Sequence, residues 1–143
     1  MSEEDRTAIA IYLHDLPARS SSVGATLAPA ALASGAAVYA LHCSACHGVN
    51  AEGVAHMFPP LAGDAALQAR DVTTIVRIVI EGTRAPMTAA RPTPSAMPSF
   101  GWALSDEEIA AVLTYLRASH TNDAGPVPAG DVARVRRTVQ KRP

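Results

Sequence analysis

The sequence predicts an all-α fold whose helices are joined by long loops, and three stretches carry that prediction. In 71–81, DVTTIVRIVIE, residues Val72, Ile75, Val76, Val79 and Ile80 recur at i, i+3, i+4, i+7 and i+8, and Gly82 follows. That period is one face of a helix and the glycine is its usual stop, so helix wins over strand despite the β-branched content. In 105–119, SDEEIAAVLTYLRAS, Ser105 and Glu108 have the spacing of a capping box, and Ile109, Val112, Leu113 and Leu116 share one side. Between them, 83–102 contains four prolines. It is expected to be a loop without regular structure, draped over the rest of the domain.

The remaining elements follow from the N-terminus. SEEDRTAIAIYLHD, 2–15, opens with Ser2 and acidic residues and places Ala8, Ile9, Tyr12 and Leu13 at helical spacing, which reads as a capped amphipathic helix. Laid without a gap on 105–119, it matches Ser2 to Ser105, the acidic triplets to each other, Ala8 to Ala111, and Tyr12-Leu13 to Tyr115-Leu116. This internal echo is either shared capping chemistry or the last helix of a preceding domain. LPARSSSVGATLAP, 16–29, reads as a linker. ALASGAAVYALHC, 31–43, returns to an Ala-rich helix with Val38 and Leu41 on its apolar side. A Gly- and Pro-rich loop occupies 48–64, and 126–139 is expected to form a short terminal helix. The organisation predicted is a helix over 1–16, a linker over 17–30, the main domain over 31–121 and a C-terminal extension over 122–143.

The chain has 143 residues, 48% of them hydrophobic, enough for one modest core. A net charge of −1 gives no basic field of the kind nucleic acid attracts. The basic cluster Arg134, Arg136, Arg137, Lys141 and Arg142 reads as a solvated tail, with docking on an acidic partner or anionic membrane as the alternative. No run approaches the roughly 20 apolar residues of a membrane span. The acidic start MSEEDRTA is unlike a signal peptide, so no export signal is expected in this stretch.

The chemistry concentrates in C43-S-A-C-H47, which holds both cysteines of the chain. A redox dithiol of this spacing needs a βαβ setting, and no strand pattern precedes Cys43. Structural zinc needs four ligands, and beyond Cys43 and Cys46 there are only scattered histidines, His14, His42, His56 and His120. Covalent haem attachment accounts for every position: two thiols one helical turn apart add to the two vinyl groups on one porphyrin edge, and His47 presents an imidazole to the iron. A sixth ligand is then sought among Met57, Met87, Met97, His56 and His120. Met97, in the proline-bracketed AMPSF just before the final capped helix, is favoured; Met87 is second, and Met57 is expected to pack against the haem edge or the core.

Around the motif, Phe58, Pro59, Pro60 and Leu61 are expected to wall the crevice, with a carbonyl receiving the His47 Nδ1 proton. Phe100 and Trp102 are expected to pack on the porphyrin or fill the core. His42 and His56 read as surface or supporting groups, and Arg84 and Arg91 as solvated loop charges or as partners for haem propionates.

Taken together, the helix, the CxxCH, the loop with PPLAG, the central helix ending in EG, the Met-Pro loop and the capped helix with its Tyr-Leu pair resemble a class I c-type cytochrome over about residues 33–120. The wording MPSFGWALSDEEIAAVLTYLR, followed by PVPAGDVARVR, is similar to the last haem domain of multi-haem cytochrome c subunits of periplasmic alcohol, gluconate, aldehyde and nicotinate dehydrogenases. The resemblance implies a cytochrome c-like helical domain around one covalent haem c, with Cys43 and Cys46 as thioether residues and His47 and Met97 as iron ligands. It further implies electron transfer rather than catalysis, a dehydrogenase subunit and other haem domains as partners, and a quinone or oxidase as acceptor. It makes residues 1–16 the closing helix of a preceding cytochrome c domain. The location implied is the periplasm or the periplasmic face of a membrane, with peripheral association. The alternatives weighed against it are a haem peroxidase or gas-binding domain with a displaceable sixth ligand, and a helical domain that never acquires haem.

Overall fold

A computed structural model describes residues 1–15, 29–89 and 92–141. Residues 16–28 of the expected linker, Arg91 and Arg142 lie outside the described residues. In chain order the elements are α1 (Glu3–Asp15), α2 (Pro29–His42), α3 (Ser44–His47), α4 (Ala65–Gln68), α5 (Thr73–Glu81), β1 (Thr83–Arg84), β2 (Ala96–Met97), α6 (Asp106–Arg117) and α7 (Ala129–Gln140). Helix α2 begins at Pro29, inside the stretch assigned to the linker, because proline suits the first helical turn. None of the described helices is long and apolar enough to cross a membrane.

The principal packing is α2 against α6, with α5 and α7 closing the other side of α6. Ile109, Val76, Val132 and Val135 lie at the centre of the core, drawn from α6, α5 and α7. The apolar periods of α5 and α6 therefore face inward as expected. For α2 the expectation is half right. Val38 packs on the core, but Leu41 is 79% exposed and Tyr39 is the residue that is buried. The docking stripe runs Gly35 to Tyr39, one turn apart, and Leu41 lies two residues further round, on the opposite side.

The expected capping box forms. Ser105 N donates to Glu108 Oε2 at 2.8 Å while Glu108 N donates to Ser105 Oγ at 3.2 Å. Ser2 N and Asp5 Oδ2 at 2.9 Å, with Asp5 N and Ser2 Oγ at 3.0 Å, repeat the arrangement in α1. Those bonds from Ser2 hold the Asp5 carboxyl below the usual carboxylate range. The echo between the two helices thus extends to their caps but not to their burial, since no residue of α1 is buried.

The proline-rich loop departs from expectation in one place. Thr83 pairs antiparallel with Met97, and Arg84 with Ala96. All four prolines fall outside those pairs, so no ladder N–H is missing. At the other end of the domain, the buried Arg117 guanidinium ties the end of α4 to the segment before α7 by donating to the carbonyls of Leu67, Ala69 (2.8 Å) and Gly125 (2.6 Å). Burial lowers its pKa. Asn122 Nδ2 donates to the carbonyls of Leu61 and Leu116, both at 2.9 Å, which seats the PPLAG segment against the end of α6.

Candidate functional site

The end of α2 runs directly into the cysteine pair. Cys43 N donates to the Tyr39 carbonyl at 2.9 Å, and His47 N closes back on the Cys43 carbonyl at 3.0 Å. The turn leaves two free thiols one turn apart, Cys43 half-buried and Cys46 exposed. Burial, then the neighbouring Cys46, pushes the Cys43 thiol up to about 11.

His47 is buried at 9% exposure, and its Nδ1 lies 3.0 Å from the Pro59 carbonyl oxygen. A carbonyl only accepts, so Nδ1 carries a proton, and Nε2 is the nitrogen left to offer a lone pair. Of the wall residues expected from the sequence, Pro59 supplies the acceptor. Phe58 and Leu61 are half-buried, and Pro60 is exposed. The loop is folded back on the motif by Gly53 N to the His47 carbonyl (2.7 Å) and by Leu61 N and Ala62 N to the Ala51 carbonyl (2.8 and 3.0 Å). A cavity of about 340 Å³ opens along Glu52 and residues 54–60.

Met97 is partly buried, on β2, within a strap formed by residues 95–104. The strap is held on the C-terminal turn of α5, whose last carbonyls have no partner inside the helix. Phe100 N donates to the Val79 carbonyl at 2.9 Å, while Gly101 N (3.2 Å) and Ser99 Oγ (2.6 Å) both donate to Ile80. The fit depends on Gly82: its φ is +74°, and a Cβ there would stand 2.6 Å from the Met97 carbonyl oxygen. Ser95 Oγ donates to the Met57 carbonyl at 2.7 Å. That bond joins the strap to the loop that supports His47.

The other expected residues are dispersed. Met57 and Met87 are exposed, as are His42, His56 and Arg84. His120 accepts or donates through Nε2 to Tyr115 Oη at 3.1 Å. Phe100 packs on the core and touches the His42 ring, but Trp102 is 86% exposed and neither fills the core nor packs on it. It lies in the tight turn after Gly101, where the backbone bonds of Ala103 N and Leu104 N to the Phe100 carbonyl direct it outward.

The family profile described as Cytochrome c matches residues 32–120. The chain belongs to the cytochrome c family. It is 37% identical over 149 residues to the cytochrome c subunit of a quinone alcohol dehydrogenase from Gluconacetobacter polyoxogenes, a match covering 96% of this chain and 32% of that protein. It is 40% identical over 105 residues to the corresponding subunit of Gluconobacter oxydans (strain 621H), covering 73% of this chain and 22% of that protein. A gluconate 2-dehydrogenase cytochrome c subunit from Pantoea cypripedii is 34% identical over 154 residues, 98% of this chain and 35% of the relative. The chain thus spans about a third or less of the length of these relatives.

Membership in the family implies a haem c, and the donor chemistry here fits one. The chain offers two unpaired thiols one turn apart, an imidazole whose outer nitrogen is already spent on a carbonyl, and a thioether on a stitched strap. Two supporting residues escape sequence reasoning. Tyr39 Oη donates to the Gly48 carbonyl at 2.6 Å, bracing the residue after His47. Arg136 reaches the strap from α7. Tyr39 has a recoverable signal, since it stands one turn from both Gly35 and Cys43; Arg136 has none, because its partners, the Asp106 carboxylate and the carbonyls of Gly101 and Leu104, lie thirty or more residues away.

Proposed function

We propose that this chain is a one-electron carrier built on a single covalently attached haem, and that it passes electrons from a dehydrogenase towards a quinone or a terminal oxidase. The observation that carries the reading is the His47–Pro59 hydrogen bond beside two free thiols. It fixes the ring and commits Nδ1 to the carbonyl, which leaves Nε2 as the nitrogen that would hold the iron. The haem, when bound, supplies the reversible Fe(II)/Fe(III) couple.

The residues of this chain attach, orient and shield. Cys43 and Cys46 each form one thioether, so that the attached edge lies where Cys46 already meets solvent. His47 is oriented by the Pro59 carbonyl, which also makes Nε2 a stronger donor. Met97 gives the second axial bond from a strap set by α5. A thioether opposite an imidazole raises the potential over a pair of imidazoles. The apolar walls formed by the 54–61 loop and Phe100 keep water away and act in the same direction. Partners dock over a small exposed patch beside the cysteines, consistent with brief encounters.

The relatives are cytochrome c subunits of alcohol and gluconate dehydrogenases. That supports a dehydrogenase catalytic subunit and further haem domains as partners here, in the periplasm or on the periplasmic face of the membrane. The test is a visible spectrum of oxidised and reduced protein, matured in a host that attaches haem c, with pyridine haemochrome quantitation. One covalent haem per chain and a low-spin reduced α band are expected. A stable colourless protein, or one whose reduced form binds carbon monoxide fully and at once, refutes the reading.

A further inference from the structure

The strap that carries Met97 is sewn to α5 on its upstream side, but its downstream end is held from elsewhere. Helix α7 lies beyond the stretch matched by the family, which ends at residue 120. It is seated by Val132 and Val135, both essentially unexposed, against α5 and α6. From that seat Arg136 spends its whole guanidinium on one short segment. Nε meets Asp106 Oδ1 at 2.7 Å, Nη2 donates to the Leu104 carbonyl at 2.9 Å, and Nη1 donates to the Gly101 carbonyl.

The three acceptors span the turn that connects Met97, Pro98, Ser99 and Phe100 to the first residue of α6. The ion pair is largely sheltered, with side-chain exposures of 17% and 26%. Planar, multidentate contacts of this kind hold a geometry that a single ammonium cannot. The neighbouring arginine behaves differently: Arg134 is well exposed, bonds Asp131 on its own helix at 2.9 Å and acts on Asp71 only through its charge.

We propose that Arg136 is a positioning residue, and that through it α7 braces the strap and keeps the Met97 thioether from leaving its position. The inference rests on the reading of Met97 as the distal ligand. With the brace removed, the strap keeps its α5 bonds but loses its downstream anchor, so it opens more often without unfolding of the domain.

The experiment compares the haem-bearing wild type with Arg136→Gln, Arg136→Lys and Arg134→Gln. Two readouts are taken: the rate at which imidazole enters the ferric protein, and amide hydrogen exchange by peptide. Arg136→Gln is expected to speed imidazole entry about tenfold or more, the loss appropriate to charged hydrogen bonds. It is also expected to speed exchange in peptides covering 99–104, leaving α2 and the middle of α6 unchanged. Arg136→Lys falls between, and Arg134→Gln matches wild type. Unchanged exchange at 99–104 in Arg136→Gln overturns the brace, as does acceleration spread evenly over α2, α5 and α6, which would make the residue one of general stability. Should the ferric wild type lack a sulfur-to-iron band, the assignment of Met97 fails, and the exchange data alone decide whether α7 braces the strap.

Discussion

Replacing Gly35 with alanine tests the seam on which the domain is built. A Cβ at Gly35 would stand 2.2 Å from the Ala111 carbonyl oxygen and 2.6 Å from Tyr115 Cβ, where ordinary contact begins near 3.4 Å. The obstacles are backbone and the root of a side chain, so α2 and α6 must separate by roughly 1 Å. A gap of that size forfeits a quarter to a half of the dispersion energy of each contact along the seam. Overpacking of this kind costs about 1–3 kcal/mol, against a gain of about 1 kcal/mol from alanine's better helix propensity. The net is a loss of up to about 2 kcal/mol, or a fall of up to about 7 °C in Tm for a domain of this size. Gly130→Ala in α7 is the matched control, because a Cβ there meets nothing within 4 Å. It is expected to leave Tm unchanged or raise it slightly. Calorimetry on both haem-bearing variants, with visible spectra shown to be unaltered, decides the matter. If Gly35→Ala unfolds at or above the temperature of Gly130→Ala, the close approach of the two helices is wrong.

Other outcomes follow from the same contacts. Met97→Ala is expected to abolish the sulfur-to-iron absorption at the red edge of the oxidised spectrum and to lower the potential, while pyridine haemochrome still returns one haem per chain; persistence of the band would assign the ligand elsewhere. Burial first, then nearby negative groups, pushes the Tyr39 phenol up to about 12. The unfolded chain therefore releases this proton from about pH 10 while the native protein holds it. The stabilisation is complete below pH 10 and is lost as pH rises towards 12, by up to about 1.4 kcal/mol per pH unit. Tyr39→Phe should flatten that alkaline fall in denaturant midpoints, and near neutral pH should cost about 1 kcal/mol for the lost bond to Gly48. Arg117→Met leaves the carbonyls of Leu67, Ala69 and Gly125 without their donor. It should destabilise by roughly 3 kcal/mol in urea titrations without changing the reduced α band.

What could be read in the sequence was whatever repeats or stands close together. The α5 and α6 faces follow a period, the Ser105–Glu108 capping box follows a fixed short spacing, and Cys43, Cys46 and His47 fit within about one turn of each other. The carbonyl expected to receive the His47 proton was placed correctly in the Phe58–Leu61 stretch, because a buried imidazole must be satisfied and that loop was nearest. The misreadings share one cause. Leu41 was placed inward on hydrophobicity, although a glycine one turn before Tyr39 sets which side of α2 approaches its neighbour. Of the two places expected for Trp102, the backbone turn after Gly101 excludes the core by carrying the side chain outward. The pairing of Thr83 with Met97 joins residues separated by the proline-rich segment, whose own composition says only that it is irregular.

This division has a consequence for how the two sides of the site respond to change. On the side of His47, the positioning contacts come from within about a dozen residues: Tyr39 through Gly48, Cys43 through the α3 turn, and Pro59 through its carbonyl. A remote substitution reaches them only indirectly, through the bonds of Ser95 and Asn122 to the outer part of that loop. On the side of Met97, every contact is long-range: Val79 and Ile80 from α5, Met57 from the opposite loop, and Arg136 from α7. Each is one or two hydrogen bonds, individually about 1 kcal/mol and held in place by the packing of a separate helix. Remote substitutions that loosen α5 or α7 by an ångström should therefore reach the distal side first, weakening the methionine's hold while attachment and the His47 bond persist.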